Sequence, residues 1–283
     1  MPQPSFVHLR LHSEFSIVDG IVRLEDAVAH AAADGMGALA LTDLANVFGM
    51  VDFYKAARKR GVKPIVGCDA WIANEAERDK PHRLLLLVRS HAGYLRLSEL
   101  LTRAYRENQH RGRAELRREW LAAGGGAGLI ALSGAAAGDV GVALLQGNLP
   151  LAQRLAREWA ETFPGAYYLE LQRAGAPHTE SHIAGAIQVA GATGLPVVAT
   201  HPVQFVKPEE FKAHEARVCI AEGYVLADQR RPRVFTPESY FKTQAEMAAA
   251  FADLPEALAN SVEIAKRCNL VLELGRSKRP RFP

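Results

Sequence analysis

The feature that most narrows the possible folds is a recurrence: seven short apolar segments, each followed by a helical pattern or a long connection. They read FVHLRLH, GALALTD, KPIVGCDAWI, RLLLLV, GLIALSG, AYYLELQ and LPVVAT. Between several of them lie stretches whose apolar residues recur at helical spacing, RLEDAVAHAAADGM (23–36), LAQRLAREWAETF (151–163) and SHIAGAIQVAGATG (181–194). Gly35, Gly61 and Gly194 fall near helix ends, where a left-handed residue closes the turn at little steric cost. Strands alternating with helices predict parallel strands joined by crossover helices.

Seven such units can form a doubly wound sheet or close into a barrel, and the polar residues favour closure. His12, Asp43, Asp69, Ser133, Gln172 and His201 all fall at the carboxyl ends of apolar segments, the face on which α/β barrels carry their sites. A doubly wound sheet would gather its site at one switch point, usually behind a glycine-rich first turn. Here the first strand runs into HSEFSIVDG instead.

After about residue 206 the rhythm changes to helices, in KPEEFKAHEARVCIAEGYVLAD and TPESYFKTQAEMAAAFADLPEALANSVEIAKRC. Thr243 and Glu246 are spaced as a capping box, and Pro255 suits the first turn of the last long helix. The last residues, LVLELGRSKRPRFP, carry prolines and basic residues with no packing signal, as a linker would. The expected division is therefore one domain over 1–270, with a barrel over about 5–206 and a helical appendix over about 207–270, then a linker over 271–283.

With 283 residues, 48% of them hydrophobic, the chain can bury one large core. No apolar signal region opens the chain, and the run LLLLV is far too short to span a bilayer. A cytoplasmic protein without membrane contact is expected. Cys68, Cys219 and Cys268 form neither a metal-ligand pair nor an even disulfide set, which suits a reducing compartment. The net charge of +3 does not by itself declare a nucleic-acid binder. Basic residues cluster, however, at RENQHRGRAELRREW (106–120), DQRRPRVF (228–235) and RSKRPRFP (276–283). Such runs are usually solvated faces, and the functional alternative is contact with a phosphate backbone or an acidic partner.

The segments FVHLRLHSEFSIVDG, GALALTDLANVFGMVDFYKAARKRGVKPIVGCDAWI, GLIALSG, YYLELQRAG, LPVVATHPVQF and LPEALANSVEIAKRCNL together carry a family resemblance. The chain resembles, nearly end to end, the amino-terminal PHP (polymerase and histidinol phosphatase) domain of bacterial replicative DNA polymerase III alpha subunits, and most closely the proteobacterial form. The resemblance implies a distorted seven-stranded (β/α) TIM-like barrel whose cleft, at the carboxyl ends of the strands, binds up to three metal ions in active members. It also implies a polymerase palm and thumb following this region.

Such chemistry needs many imidazoles and carboxylates, because several divalent ions must together activate a water and clamp a phosphoryl group. Against the family's motifs this sequence has lost most of them. The first motif, His-x-His followed by Ser-x-x-Asp-Gly, has Arg10 and His12 where the two histidines stand, and keeps Asp19. His8 faces the same way on a regular strand but lies about 13 Å from His12, too far to share an ion. Asp43 is kept, Leu44 stands for a histidine, and Asp69 is shorter than the expected glutamate. Arg83 aligns with another histidine, Ala135 and Ala174 replace ligating side chains, and the last motif reads His201, Pro202, Val203, Gln204 in place of Asn-Asp-x-His. The retained set is His12, Asp19, Asp43 and Asp69, with His201 as a newcomer.

An arginine at position 10 places a permanent cation where a metal stood. It is expected to pair with Asp19, Asp69 or both. No catalytic residue and no cofactor are then expected. His12, Asp43 and Asp69 are the residues left to hold one weak divalent ion, manganese, zinc or magnesium. The implied function is a catalytically degenerate scaffold of the polymerase that docks the separate proofreading exonuclease subunit, epsilon, with DNA reached only in the whole holoenzyme. His82, Arg89, His91, Arg103 and the 106–120 cluster are exposed candidates for that docking surface. The alternative is a residual metal-dependent phosphoesterase, 3′–5′ exonuclease or pyrophosphatase.

Overall fold

The computed structural model describes residues 5–122 and 124–275. The basic run over 276–283 lies outside the described residues, as does the last part of the expected linker. Eight strands form one mixed sheet. β1 (Ala38–Leu41), β2 (Lys63–Ile72), β3 (His82–Val88), β6 (Leu129–Leu132), β7 (Tyr167–Gln172) and β8 (Val197–Thr200) make up its wall, and a small hairpin, β4 (Gln109–His110) and β5 (Arg113–Leu116), extends it beside β2. The basic cluster at 106–120 is thus built around a hairpin, whose turn uses the left-handed conformations of Arg111 and Gly112.

The expectation of uniformly parallel strands is corrected at β3. It runs antiparallel to both β2 and β6, whereas β1 with β2, β6 with β7 and β7 with β8 are parallel. The cause is the connection: β2 and β3 are joined by a short loop with no crossover helix, and a short loop can return the chain only antiparallel. The amino end of β3, with His82 and Arg83, therefore sits at the same mouth as the carboxyl ends of the parallel strands.

The first apolar segment is extended, but it makes only isolated bridges, Leu11 with Val203 and Ser13 with Val22. It nonetheless closes the ring. The His12 amide donates to the Val203 carbonyl on one side, and the amides of Ala40 and Thr42 donate to His8 and Leu11 on the other, at 2.9 to 3.0 Å.

Helices pack around this wall where their apolar stripes require it: α1 (Leu24–Ala33), α2 (Met50–Lys59), α3 (His91–Glu107), α4 (Arg118–Leu121), α5 (Asp139–Leu145), α6 (Leu149–Thr162) and α7 (Thr179–Thr193). Gly35, Gly61 and Gly194 take positive φ near helix ends. Beyond the barrel come α8 (Phe211–Glu222), α9 (Gln244–Ala250) and α10 (Pro255–Arg267). Thr243 and Glu246 cap α9 reciprocally, and Pro255 opens α10. The carboxyl end of α10 seals the floor of the barrel: Lys63 Nζ donates to the Ala265 carbonyl and to Asn269 Oδ1, and the Asn269 amide donates to the Arg89 carbonyl. Among the described residues no helix is long and apolar enough to cross a membrane.

Candidate functional site

The mouth of the barrel opens into a cleft of about 590 Å³. Arg10, His12, Asp19, Asp69 and Arg83 stand at its base, and Leu44, Ala135, Ala174, Pro202 and Gln204 also line it. Most of the residues singled out from the sequence are thus brought together. Two are not. Asp43 turns away and accepts from the Ser13 amide and hydroxyl at 2.6 and 2.9 Å, pinning the first loop. His201 accompanies the carbonyl of Tyr240 at 3.0 Å and faces His8, so it is no newcomer to the cleft.

His8 also departs from expectation. It donates through Nε2 to the Lys242 carbonyl at 2.7 Å and packs against Phe6 and Phe241 rather than facing the cleft beside His12. The first segment has no continuous ladder to enforce the alternation of a regular strand.

Asp69 is the centre of the arrangement. It lies on β2, and cross-strand register places Arg83 opposite Trp71, two residues further along the same face. From there Arg83 reaches diagonally to both oxygens of Asp69 while its guanidinium lies 4.3 Å from the Trp71 ring centroid. Arg10 bonds Asp69 from the other side, and His12 Nε2 donates to it at 3.1 Å. Burial alone would raise the Asp69 pKa, but Arg10, Arg83 and His12 together hold it far below the usual carboxylate range.

Arg10 does not pair with Asp19. Its second carboxylate is Glu170, gripped at 2.8 and 3.0 Å, and Thr200 and Gln172 also donate to Glu170. Asp19 is held by His12 Nδ1 at 3.0 Å and by the Ser16 hydroxyl at 2.7 Å. Burial disfavours a charged His12, but Asp19 and then Asp69 outweigh it and raise its pKa to about 9. At neutral pH three cations therefore face three carboxylates.

Glu170 is the residue that motif comparison passed over. The sequence carries a signal for it: Gln172 falls at a strand end, and alternation puts Glu170, two residues earlier, on the same inward face one level deeper.

This donor set does not fit a metal ion. Both Asp69 oxygens, both His12 nitrogens and both Asp43 oxygens are engaged by protein groups, and two guanidinium cations would repel an ion entering beside Asp69. Among the described residues no group of three or more His, Cys, Asp or Glu is arranged to hold one.

Residues 8–174 match the family model described as the PHP domain. Over its whole length the chain is 53% identical to the DNA polymerase III subunit alpha of Neisseria meningitidis serogroup A, of which it covers 25%. It is 44% identical, again over its whole length, to the subunit of the same name from Escherichia coli K12, of which it covers 24%. The chain thus spans about a quarter of the length of these relatives. Among solved structures, an amidohydrolase from Chromobacterium violaceum, with bound sulfate and no metal, is similar at a TM-score of 0.52 and 15% identity, over 75% of this chain and 96% of that one.

Proposed function

The chain belongs to the PHP domain family, and from that premise we propose that it is the amino-terminal region of a bacterial replicative DNA polymerase III alpha subunit, with a cleft that has given up hydrolysis. Its role is then to support the polymerase in the cytoplasm and to dock the epsilon proofreading exonuclease. Residues 1–270 act as the PHP domain, and 271–283 lead toward the palm and thumb. DNA is engaged by the holoenzyme as a whole.

The observation that carries this reading is the clamp on Asp69 by Arg10, Arg83 and His12. Separating a buried carboxylate from such partners costs about 3–5 kcal/mol per broken pair. A metal binding there would have to supply that energy and overcome the repulsion of the two arginines as well. A cleft whose ligands neutralise one another has no electrophile to offer a phosphoester. If epsilon supplies proofreading as a separate subunit, the alpha chain can lose its own nuclease chemistry and keep the surface that holds epsilon.

The test is elemental analysis of tag-free protein dialysed against manganese and zinc, beside a titration with purified epsilon. Metal well below one equivalent together with epsilon binding is the expected result. Two or more equivalents, lost on His12→Ala, would instead support the phosphoesterase, exonuclease or pyrophosphatase reading.

A further inference from the structure

We propose that the barrel-mouth cleft is a receptor for an uncharged peptide segment that inserts a bulky apolar side chain. This deepens the docking-module reading above and rests on it, and it assigns the docking to the cleft itself rather than to the basic outer faces.

Charge is the first ground. All three nitrogens of Arg10 are engaged by Asp69 and Glu170, Arg83 holds Asp69 from two nitrogens, and His12 gives both ring nitrogens to Asp19 and Asp69. Arg10, Arg83 and His12 are matched one for one by Asp69, Glu170 and Asp19, so the floor presents no surplus cation to a phosphate and no surplus carboxylate of its own, and the further charged side chain on the lining, Glu222, lies exposed toward the opening. A charged group reaching the floor would lose its hydration without gaining a counter-charge.

The walls supply the second ground. Above that floor the cleft is lined by Leu44, Trp71, Ala135, Ala174, Val218 and Phe235. Its volume of about 590 Å³ falls in the range of ligand pockets, which is roughly 300–1,000 Å³. The rim continues the apolar character outward: Val18 and Val234 line the opening and are 40% and 66% exposed, and neighbouring Ile17 is 62% exposed.

An unpartnered buried amide favours a peptide over a hydrocarbon. Gln204 lines the cleft, is only 3% exposed, and its Oε1 meets no partner while its Nε2 lies 3.3 Å from His12 Nδ1. Because His12 Nδ1 carries a proton, the amide turned over, with its oxygen toward His12, is the paired arrangement, and it leaves the nitrogen unpartnered instead. A backbone N–H or C=O from a bound segment satisfies whichever atom is left. The basic outer face is a weaker candidate, since Arg103, Arg111, Arg117 and Arg118 are each already within ion-pair distance of a carboxylate.

The experiment titrates this chain with the purified epsilon subunit by calorimetry, comparing the parent with Ala137→Trp and Ala176→Trp. Both alanines line the cleft at exposed positions on different loops, so bulk there fills the cleft without entering the core. The expected result is at least about a tenfold loss of affinity in each variant, with unaltered thermal unfolding and no competition from saturating inorganic phosphate. If the parent binds and both variants bind equally well, the cleft is not the receptor, and the docking reading survives without it. Competition by phosphate would overturn the uncharged-ligand assignment. If the parent does not bind epsilon at all, the docking reading falls and this inference falls with it.

Discussion

Arg10 lays Nε and one terminal nitrogen against the two carboxylate oxygens of Glu170, at 2.8 and 3.0 Å, and gives its remaining nitrogen to Asp69. One guanidinium thereby ties β2 to β7 across the barrel interior through side chains alone. Glu170 also accepts from Thr200 on β8, so the link spans three strands.

Removing one member of this buried set should be far worse than its small size suggests. Glu170→Ala leaves Arg10 with a single carboxylate, and urea unfolding should show a loss of about 3–5 kcal/mol. A loss below about 1 kcal/mol would mean that water or a rearranged partner takes the place of Glu170.

Stability at alkaline pH should depend on His12. Burial opposes its charge, but Asp19 and Asp69 raise its pKa from 6.5 to about 9. The folded chain thus keeps a proton that the unfolded chain releases, and the stabilisation is fully present below pH 6.5 and lost as pH rises through about 9. His12→Gln should flatten that limb of the stability profile. An unchanged limb would show that His12 is neutral in the folded state.

On the acid side two groups oppose each other. Burial lowers His8 from 6.5 to about 4, more than its bond to the Lys242 carbonyl can restore, so its contribution is lost as pH falls through that interval. Burial raises Asp43 from 3.8 to about 6 despite its bonds from Ser13, so the folded state favours the proton and stability from this group is lost as pH rises through about 6. Asp43→Asn removes the compensating member. Its chemical unfolding should weaken more steeply between pH 6 and 4 than that of the parent, and an equal or shallower slope would contradict this assignment.

If arginine substitution is what bars metal, reversing it should restore some affinity. Arg10→His combined with Arg83→His frees Asp69 from both guanidinium groups and adds two imidazoles around it. Elemental analysis after manganese or zinc dialysis should rise from a trace toward one equivalent. No gain would indicate that the shorter carboxylate of Asp69, or the lost ligands at Leu44 and Pro202, is the limiting defect.

The reciprocal cap of α9 offers a control remote from the cleft. Thr243→Ala removes the bond accepted from the Glu246 amide, and thermal unfolding should report a loss of about 1 kcal/mol. The affinity for epsilon should not move.

What could be read in the sequence was mostly local. The segments GALALTD, KPIVGCDAWI, RLLLLV, GLIALSG, AYYLELQ and LPVVAT contain strands, and the Thr243–Glu246 cap and the glycine helix ends needed only neighbours in the chain. Strand direction was not readable, because alternation of apolar residues is the same in either sense, and β3 took its sense from the short loop before it. The cleft residues were found from motif positions. Their pairing was readable only in part: Arg10 meets Asp69 as expected, but it leaves Asp19 to His12, shares Asp69 with Arg83 and takes Glu170, a partner 160 positions away. His8 and His201 went astray for a related reason: their orientation depends on Lys242 and Tyr240, which arrive from the region after the barrel.

The isolated bridge between Leu11 and Val203 has a temporal meaning. During synthesis the first segment emerges nearly two hundred residues before the stretch that completes its surroundings, and until then one side of it has no neighbour. Contacts between distant parts of a chain form slowly, and exposed apolar segments invite wrong partners in the interval. The segment around Leu11 is thus among the last to settle, because the ring closes only when the stretch around Val203, nearly two hundred residues later, has been made.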